Sequence, residues 1–466
     1  AKIKQTVFNA NIGGELFDAP AGAVAVNVGW ESRREEARWQ PGLGTTLPVT
    51  RSAPFIETGG DFDTDEFFGE IVVPVFGRDF TLPGIQMLEL NGAVREIDNS
   101  LAGNDTVWTA GGRFMPLQDL TIRGNYTESV RSPSLVELFA PLNPVFATAD
   151  DPCDQDNINN GPNPDLRRQN CIAAGIEDPD NFVSNIEDFT ASGFSGGNEN
   201  LTSEQAESWS IGFTWEPRWV DNLIIGADHF DVEIEDAITN LDLETNLEAC
   251  FDSTSFPNNP SCDAFTRDDA GQIVTFTTGQ ANAQSFRREL QSFFLDYGFE
   301  VASAAGLVSD SMDASNLGFL RFNASVARSR RNQSSIVGED FVRQTRAFND
   351  PKYSGTFDLT WSRNDTRVFW RTSWQNRALL DPQQQTAFFN EEGEQVTSTS
   401  HRFISNLSIS QILPRFADWM PQQTMLQVNV DNVFRRMPNT VEQAAGHFGI
   451  DELLGRQYRL TLQTRF

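Results

Sequence analysis

GRQYRLTLQTRF, residues Gly455 to Phe466, alternates strictly between two kinds of side chain. Tyr458, Leu460, Leu462 and Phe466 fall on one side of an extended strand, and Gln457, Arg459, Thr461, Gln463 and Arg465 on the other, because successive strand side chains point to opposite faces. One face suits hydrocarbon and the other suits water.

The same alternation recurs along the chain. Val24, Val26, Val28 and Trp30 share a face, and Leu88, Leu90 and Val94 stand opposite Glu89, Asn91 and Arg95. Trp209, Ile211, Phe213 and Trp215 do likewise, as do Phe357, Leu359 and Trp361, then Val368, Trp370 and Trp374, then Leu426, Val428 and Val430. Such runs give roughly fifteen strands. Some connections are tight, at 18–22, 115–119, 216–222 and 362–367, whereas 140–201 and 240–280 are long and polar. Short turns at one end and long loops at the other is the arrangement of a membrane β-barrel. An open sheet in a bilayer would leave unpaired backbone groups costing several kcal/mol each, so the sheet must close.

Composition agrees. With 39% hydrophobic residues and a mean hydropathy of -0.38, no stretch approaches the roughly 18 apolar residues of a spanning helix. The 37 Phe and 10 Trp against 4 Tyr suit either the girdles of a barrel or the core of a β-sandwich. A net charge of -30 excludes nucleic acid as a partner, since phosphate backbones select for Lys and Arg. It fits solvated loops better than a cation-selective lumen.

Cys153 with Cys171 and Cys250 with Cys262 form two local pairs in Asn/Asp/Pro-rich segments that read as loop. Two disulfides and an oxidising compartment follow. Zinc is the weaker reading, because no Cys-x-x-Cys spacing occurs and His229, His401 and His447 lie elsewhere. Asp150, Asp151, Asp154 and Asp156 are candidates for a calcium site, against the blander reading of a solvated loop without an EF-hand turn. Arg167 and Arg168, inside an acidic segment, could meet an anionic ligand but are expected instead to pair with neighbouring carboxylates. No signal peptide opens the chain, so the expectation is an exported protein that has been processed or a sequence that starts after its true beginning. The Gly-x-Ser-x-Gly, His-Glu-x-x-His and phosphate-loop motifs are all missing, so no catalytic residue is assigned. His229 is expected in a barrel wall.

YTESVRSPSLVELFAP, Tyr126 to Pro141, resembles a hallmark of TonB-dependent outer-membrane receptors. It carries Arg131, Pro133, Ser134, Leu135, Glu137, Leu138 and Phe139. The stretches GNENLTSEQAESWSIGFTWEP, DHFDVEIEDAI, FTRDDAGQI, NDPKYSGTFDLTW and VNVDNVFRRMPN follow in the order seen in that family. The resemblance covers nearly the whole chain. It implies an all-β transmembrane antiparallel barrel of about 22 strands, a TonB-engaging box and a globular plug. Neither box nor plug is visible, so residues 1–466 are expected to be the C-terminal part of the barrel, with extracellular loops at about 141–200 and 240–280.

The resemblance further implies that Phe466, with Tyr458, Leu460 and Leu462, serves as a barrel-assembly signal. It implies residence in the Gram-negative outer membrane, in contact with its lipid and lipopolysaccharide. The implied partners are the N-terminal plug fragment, through it the TonB-ExbB-ExbD complex, and surface or periplasmic proteins. The expected activity is uptake of a scarce nutrient, leaning to an oligosaccharide and otherwise a ferric siderophore. A passive porin-like channel and a soluble β-rich surface-binding protein or hydrolase are the competing readings.

Overall fold

The computed structural model describes residues 1–40, 42, 57–77, 80–302, 317–336, 341–348, 350–380, 387–390, 392–414, 423–446 and 449–465. The chain opens with β1 (Lys2–Ala19), β2 (Gly22–Trp39), β3 (Thr58–Phe76), β4 (Met87–Asn99), β5 (Gly103–Leu117) and β6 (Leu120–Arg131). A short helix α1 (Leu135–Phe139), strand β7 (Asn143–Ala147), helix α2 (Pro164–Ala173) and strand β8 (Ala191–Gly196) fill the next connection. Then come β9 (Glu204–Trp215), β10 (Leu223–Leu241), α3 (Leu243–Phe251), β11 (Phe265–Arg267) and β12 (Ile273–Glu300). The chain continues through β13 (Phe319–Ile336), β14 (Val342–Arg343), β15 (Tyr353–Arg363), β16 (Thr366–Gln375), β17 (Phe388–Phe389) and β18 (Gln395–Val396). It ends with β19 (Arg402–Leu413), β20 (Gln423–Asp431), α4 (Thr440–Ala444), α5 (Ile450–Leu454) and β21 (Gln457–Arg465).

Nineteen of these strands join one sheet. Fifteen form a continuous antiparallel wall in chain order, and the short β7, β8, β11 and β14 belong to its connections. The fifteen strands expected from alternation are therefore present. Among the described residues β1 pairs only with β2, and β21 only with β20, so the sheet is not closed.

All four tight turns expected from the sequence lie at one end of the wall, where β1 meets β2, β5 meets β6, β9 meets β10 and β15 meets β16. The two long connections, β6 to β9 and β10 to β12, leave from the opposite end. Register explains the two faces. Phe213, Ala227, Phe293, Val326, Gly355 and Trp374 stand side by side in one cross-strand row. Tyr297, Phe322, Leu359, Trp370, Leu407, Val430 and Tyr458 make another. Phe213, Phe293, Leu359 and Tyr458 of these outward rows are exposed, as are Ile211, Leu460 and Leu462 elsewhere on the same face. A soluble fold would bury such a band; a wall facing lipid needs it.

The buried cores lie at the long-loop end. One gathers Cys153, Ile158, Cys171, Leu247, Cys250, Phe251 and Phe276. The other gathers Ala37, Phe62, Leu135, Leu138, Phe139 and Leu201.

Candidate functional site

The face opposite the apolar rows is polar and densely ion-paired. Arg123 meets Asp228 at 2.5 Å, Arg95 meets Glu66 at 2.5 Å, and Arg33 meets Glu31 at 2.6 Å. Arg321 meets Asp296 at 2.5 Å, Arg371 meets Asp358 at 2.6 Å, and Arg113 meets Glu89 at 3.5 Å. Small polar groups fill the space between them, with Thr109 and Thr127 hydroxyls 2.8 Å apart and Ser325 and Thr356 hydroxyls 2.9 Å apart. Each of these six guanidiniums thus already faces a carboxylate.

Arg131, Pro133, Ser134, Leu135, Glu137, Leu138 and Phe139 build a joint between this face and the first long connection. Ser134 caps α1, and the Glu137 carboxylate accepts in return from the Ser134 amide at 2.7 Å, a capping box. Arg131 donates to both Glu137 oxygens at 3.0 Å and to Glu204 of β9 at 2.6 and 2.7 Å. Burial alone would raise the Glu137 carboxyl, but Arg131 and the Ser134 groups hold it below its ordinary range. Leu135, Leu138 and Phe139 then drop into the core formed with Ala37 and Phe62 of β2 and β3. Gly60 of β3 leaves the room that the Phe139 ring fills.

Beyond this joint, the two cysteine-bearing connections fold into one cap. Cys153 is bonded to Cys171 and Cys250 to Cys262, and residues from both connections share a single core. Asn163 with Pro164 starts α2, and Asp242 caps α3 by accepting from the Thr245 amide. β7 pairs with β8, and β8 runs parallel to the start of β12, from Ser192 beside Thr275 to Gly196 beside Gly279. Main-chain bonds therefore continue the wall into the cap.

The acidic run around Cys153 is drawn into the cap's own bonding. Asp151 accepts from Arg267 at 2.7 and 2.8 Å, from the Ser184 hydroxyl at 2.6 Å and from the Cys153 amide at 3.0 Å. Burial pushes its carboxyl up, yet Arg267 outweighs this and leaves it below its ordinary range. Asp154 accepts from the Ser184 and Asp156 amides at 2.7 and 2.8 Å. Asp150 lies close enough to Glu187 and Glu244 to raise both carboxyls, after burial as the first cause. Among the described residues no three His, Cys, Asp or Glu side chains gather in metal-binding geometry.

Arg167 and Arg168 pair with carboxylates as expected, with Asp252 at 2.5 Å and Asp180 at 2.6 Å. His229 lies in β10, in ring contact with Trp209 at 4.7 Å. Tyr458, Leu460 and Leu462 stand on the outward face of β21. Phe466 and His447 fall outside the described residues.

The VNVDNVFRRMPN stretch forms a second latch at the long-loop end. The Asn432 side chain accepts from the Arg436 amide and donates to its carbonyl, both at 2.8 Å. Arg436 reaches both Glu442 oxygens at 2.9 Å, and Arg402 meets buried Glu452 at 2.5 Å. Sequence reasoning missed these anchors because their partners lie on separate elements, although the Asn439 and Glu442 capping signature was present.

Comparison with known proteins accords with this architecture. A family model described as "TonB dependent receptor-like, beta-barrel" matches residues 5–433. No curated protein matches the chain. Among solved structures, a mutant of the ferric enterobactin receptor from Pseudomonas aeruginosa aligns with TM-score 0.56 at 12% identity, covering 99% of this chain and 53% of that one. The siderophore receptor from Acinetobacter baumannii aligns with TM-score 0.55 at 11% identity, covering 100% and 55%. The siderophore receptor from Pseudomonas aeruginosa aligns with TM-score 0.52 at 12% identity, covering 99% and 56%. The chain spans about half the length of the solved structures it matches. Wall, outward apolar band, sorted loops and family model converge: the chain belongs to the TonB dependent receptor-like β-barrel family, whose members are transport proteins of the Gram-negative outer membrane and not enzymes.

Proposed function

We propose that the chain is the barrel portion of a TonB-dependent transporter, and that its cargo is an uncharged, hydroxyl-rich molecule of the oligosaccharide class. The observation that carries the cargo reading is the pairing of the lumen arginines. Arg33, Arg95, Arg123, Arg321 and Arg371 each spend their charge on a carboxylate 2.5 to 2.6 Å away. An anionic ferric chelate would have to break such pairs and leave a buried or half-buried carboxylate facing it. A neutral polyol needs only the Ser, Thr and Asn groups between them. The ferric enterobactin and siderophore receptors among the similar structures favour a ferric siderophore as the second reading.

In this mechanism the cap forms the first contact with cargo, and the lumen face holds it above a plug supplied by the N-terminal part of the receptor. Force from the TonB-ExbB-ExbD complex then rearranges that plug. The wall stays rigid, because its strands are paired along their length, and Phe466 directs its assembly.

The test uses the receptor extracted with its plug and titrated calorimetrically with neutral oligosaccharides and with ferric enterobactin. Saturable heat from an oligosaccharide alone supports the proposal; saturation by the ferric chelate alone moves the cargo to the siderophore class. A large steady conductance in a planar bilayer would overturn the plugged transporter in favour of a passive channel.

A further inference from the structure

Asn-Gly occurs twice in the chain, at Asn91-Gly92 and at Asn160-Gly161. The dipeptide has a chemistry of its own. Glycine carries no side chain to shield its amide nitrogen, so that nitrogen can reach the side-chain carbonyl of the asparagine before it. Ring closure needs two freedoms: the asparagine side chain must be able to swing over its own main chain, and the glycine amide must not be committed to a hydrogen bond.

Asn160-Gly161 has both. It lies in the turns between Cys153 and α2, and Asn160 is exposed. Nδ2 of Asn160 donates to the Asp156 carbonyl at 3.0 Å and to Asn157 Oδ1 at 3.3 Å, contacts within one turn that water can replace. The Gly161 amide donates to no group among the described residues. The fold also holds position 161 to glycine. A Cβ there would stand 2.5 Å from Nε and Cζ of Arg167, whose guanidinium is fixed by Asp252 at 2.7 and 2.5 Å and by the Asn157 carbonyl at 2.9 Å.

Asn91-Gly92 provides the internal contrast. It lies in the middle of β4, where Asn91 is in register with Val72 of β3 and Gly111 of β5, and Gly92 with Ile71 and Ala110. Its main chain is extended and paired on both sides, so the glycine nitrogen is held in the ladder and away from the asparagine carbonyl.

We propose that Asn160-Gly161 is a self-modifying site of the cap, where the Asn160 amide is converted to a carboxylate with water as the only co-reactant. The Gly161 amide gives up its proton to solvent, its nitrogen bonds to Cγ of Asn160, and Nδ2 leaves with a proton as ammonia. Water then opens the five-membered imide at either carbonyl. One opening leaves aspartate at position 160. The other leaves isoaspartate, whose main chain runs through the former side chain and is one methylene longer. Both products add a negative charge to a run that already holds Asp150, Asp151, Asp154 and Asp156. The longer main chain also displaces the turn whose Asn157 carbonyl and Gly161 backbone lie against Arg167. The change is thereby passed to the Arg167–Asp252 pair, which joins the two cysteine-bearing connections. The inference is independent of the cargo.

The test holds the detergent-extracted receptor, complete with its plug, at growth temperature for days. Both Asn-Gly peptides are followed by mass spectrometry, with enzymatic isoaspartyl methylation as the probe for the longer isomer. In the folded receptor Asn160 should convert at least about ten-fold faster than Asn91, and the two rates should converge once the receptor is denatured. Conversion at 160 should be faster at about pH 8.5 than at about pH 6.5, because the Gly161 amide must lose its proton. An unconverted Asn160 in a folded receptor whose denatured form converts would overturn the proposal, as would equal rates at the two sites in the folded receptor. Asn160→Gln keeps an amide but would need a six-membered ring, so it serves as the unconverting reference, with heat-modifiable migration as the check on its folding. Aged unmodified receptor should be cut by protease within 148–200, while equally aged Asn160→Gln is cut no faster than when fresh. Equal resistance of the two after ageing would overturn the link to the Arg167 contact.

Discussion

Arg167 and Asp252 come from different connections of the wall, and their side chains meet in a two-pronged ion pair only 4% and 5% exposed. Nε and an Nη of Arg167 donate at 2.7 and 2.5 Å, and its other Nη reaches the Asn157 carbonyl at 2.9 Å. The pair ties α2 to the end of α3, so it fixes one disulfide-bonded segment against the other. Replacing Arg167 by Met would leave Asp252 as an uncompensated buried charge, which costs about 3–5 kcal/mol. Limited proteolysis should then cut within 148–200 or 243–272 while the barrel keeps its heat-modifiable migration. Uncut loops in Arg167→Met would show that the pair contributes little to the cap.

The cap's stability should depend on pH with opposite signs from two sets of groups. Glu187, Glu244 and Glu248 have carboxyls raised first by burial and then by neighbouring acids, although Arg167 acts the other way on Glu248. Their contribution is complete below the ordinary value of 4.5 and is lost as pH rises through their folded values. Asp151, held low by Arg267 against its burial, contributes above its ordinary value of 3.8, and that contribution is lost as pH falls through its folded value. Amide exchange in 148–200 should be slower at about pH 5 than at about pH 8, after correction for intrinsic rates. Equal protection at both would show that these three glutamates do not couple to folding.

The two disulfides should stabilise the cap and not the wall. Cys153–Cys171 and Cys250–Cys262 close loops of 18 and 12 residues, each of which contributes about 3 kcal/mol by restricting the unfolded segment. Cys153→Ser/Cys171→Ser should make the cap protease-sensitive with little change in the wall, whose strands are paired independently of it. A collapse of heat-modifiable migration in that variant would contradict this separation.

The wall was legible in sequence because its signal is local. Alternation at period 2 marks each strand, and Asp18–Gly22 or Glu216–Asn222 marks a turn without reference to anything distant. The cap was not legible for the opposite reason. Its core joins Ile158 to Leu247 and Phe251 across an intervening stretch of wall, and Asp151 finds Arg267 at a separation of 116 residues. In an Asn- and Asp-rich segment such apolar residues look sporadic, so both connections read as loop. The helices had readable starts at Asn163-Pro164 and Asp242, but composition outweighed them. The Asp150 to Asp156 run suggested a cation because only its own residues were in view.

The Arg131 joint offers a way to separate burial from charge in a single short helix. Leu138 is 3% exposed in the core beneath α1, and Leu138→Ala should cost about 2–5 kcal/mol by removing buried methyl groups. Arg131 is 47% exposed, so Arg131→Ala should cost only about 1 kcal/mol despite contacts to two carboxylates. Amide exchange across 132–140 reads both variants on the same segment. The expected order is strong loss of protection in Leu138→Ala and a slight loss in Arg131→Ala. A reversed order would mean that the ion pairs, and not the apolar seat in β2 and β3, hold the start of the cap to the wall.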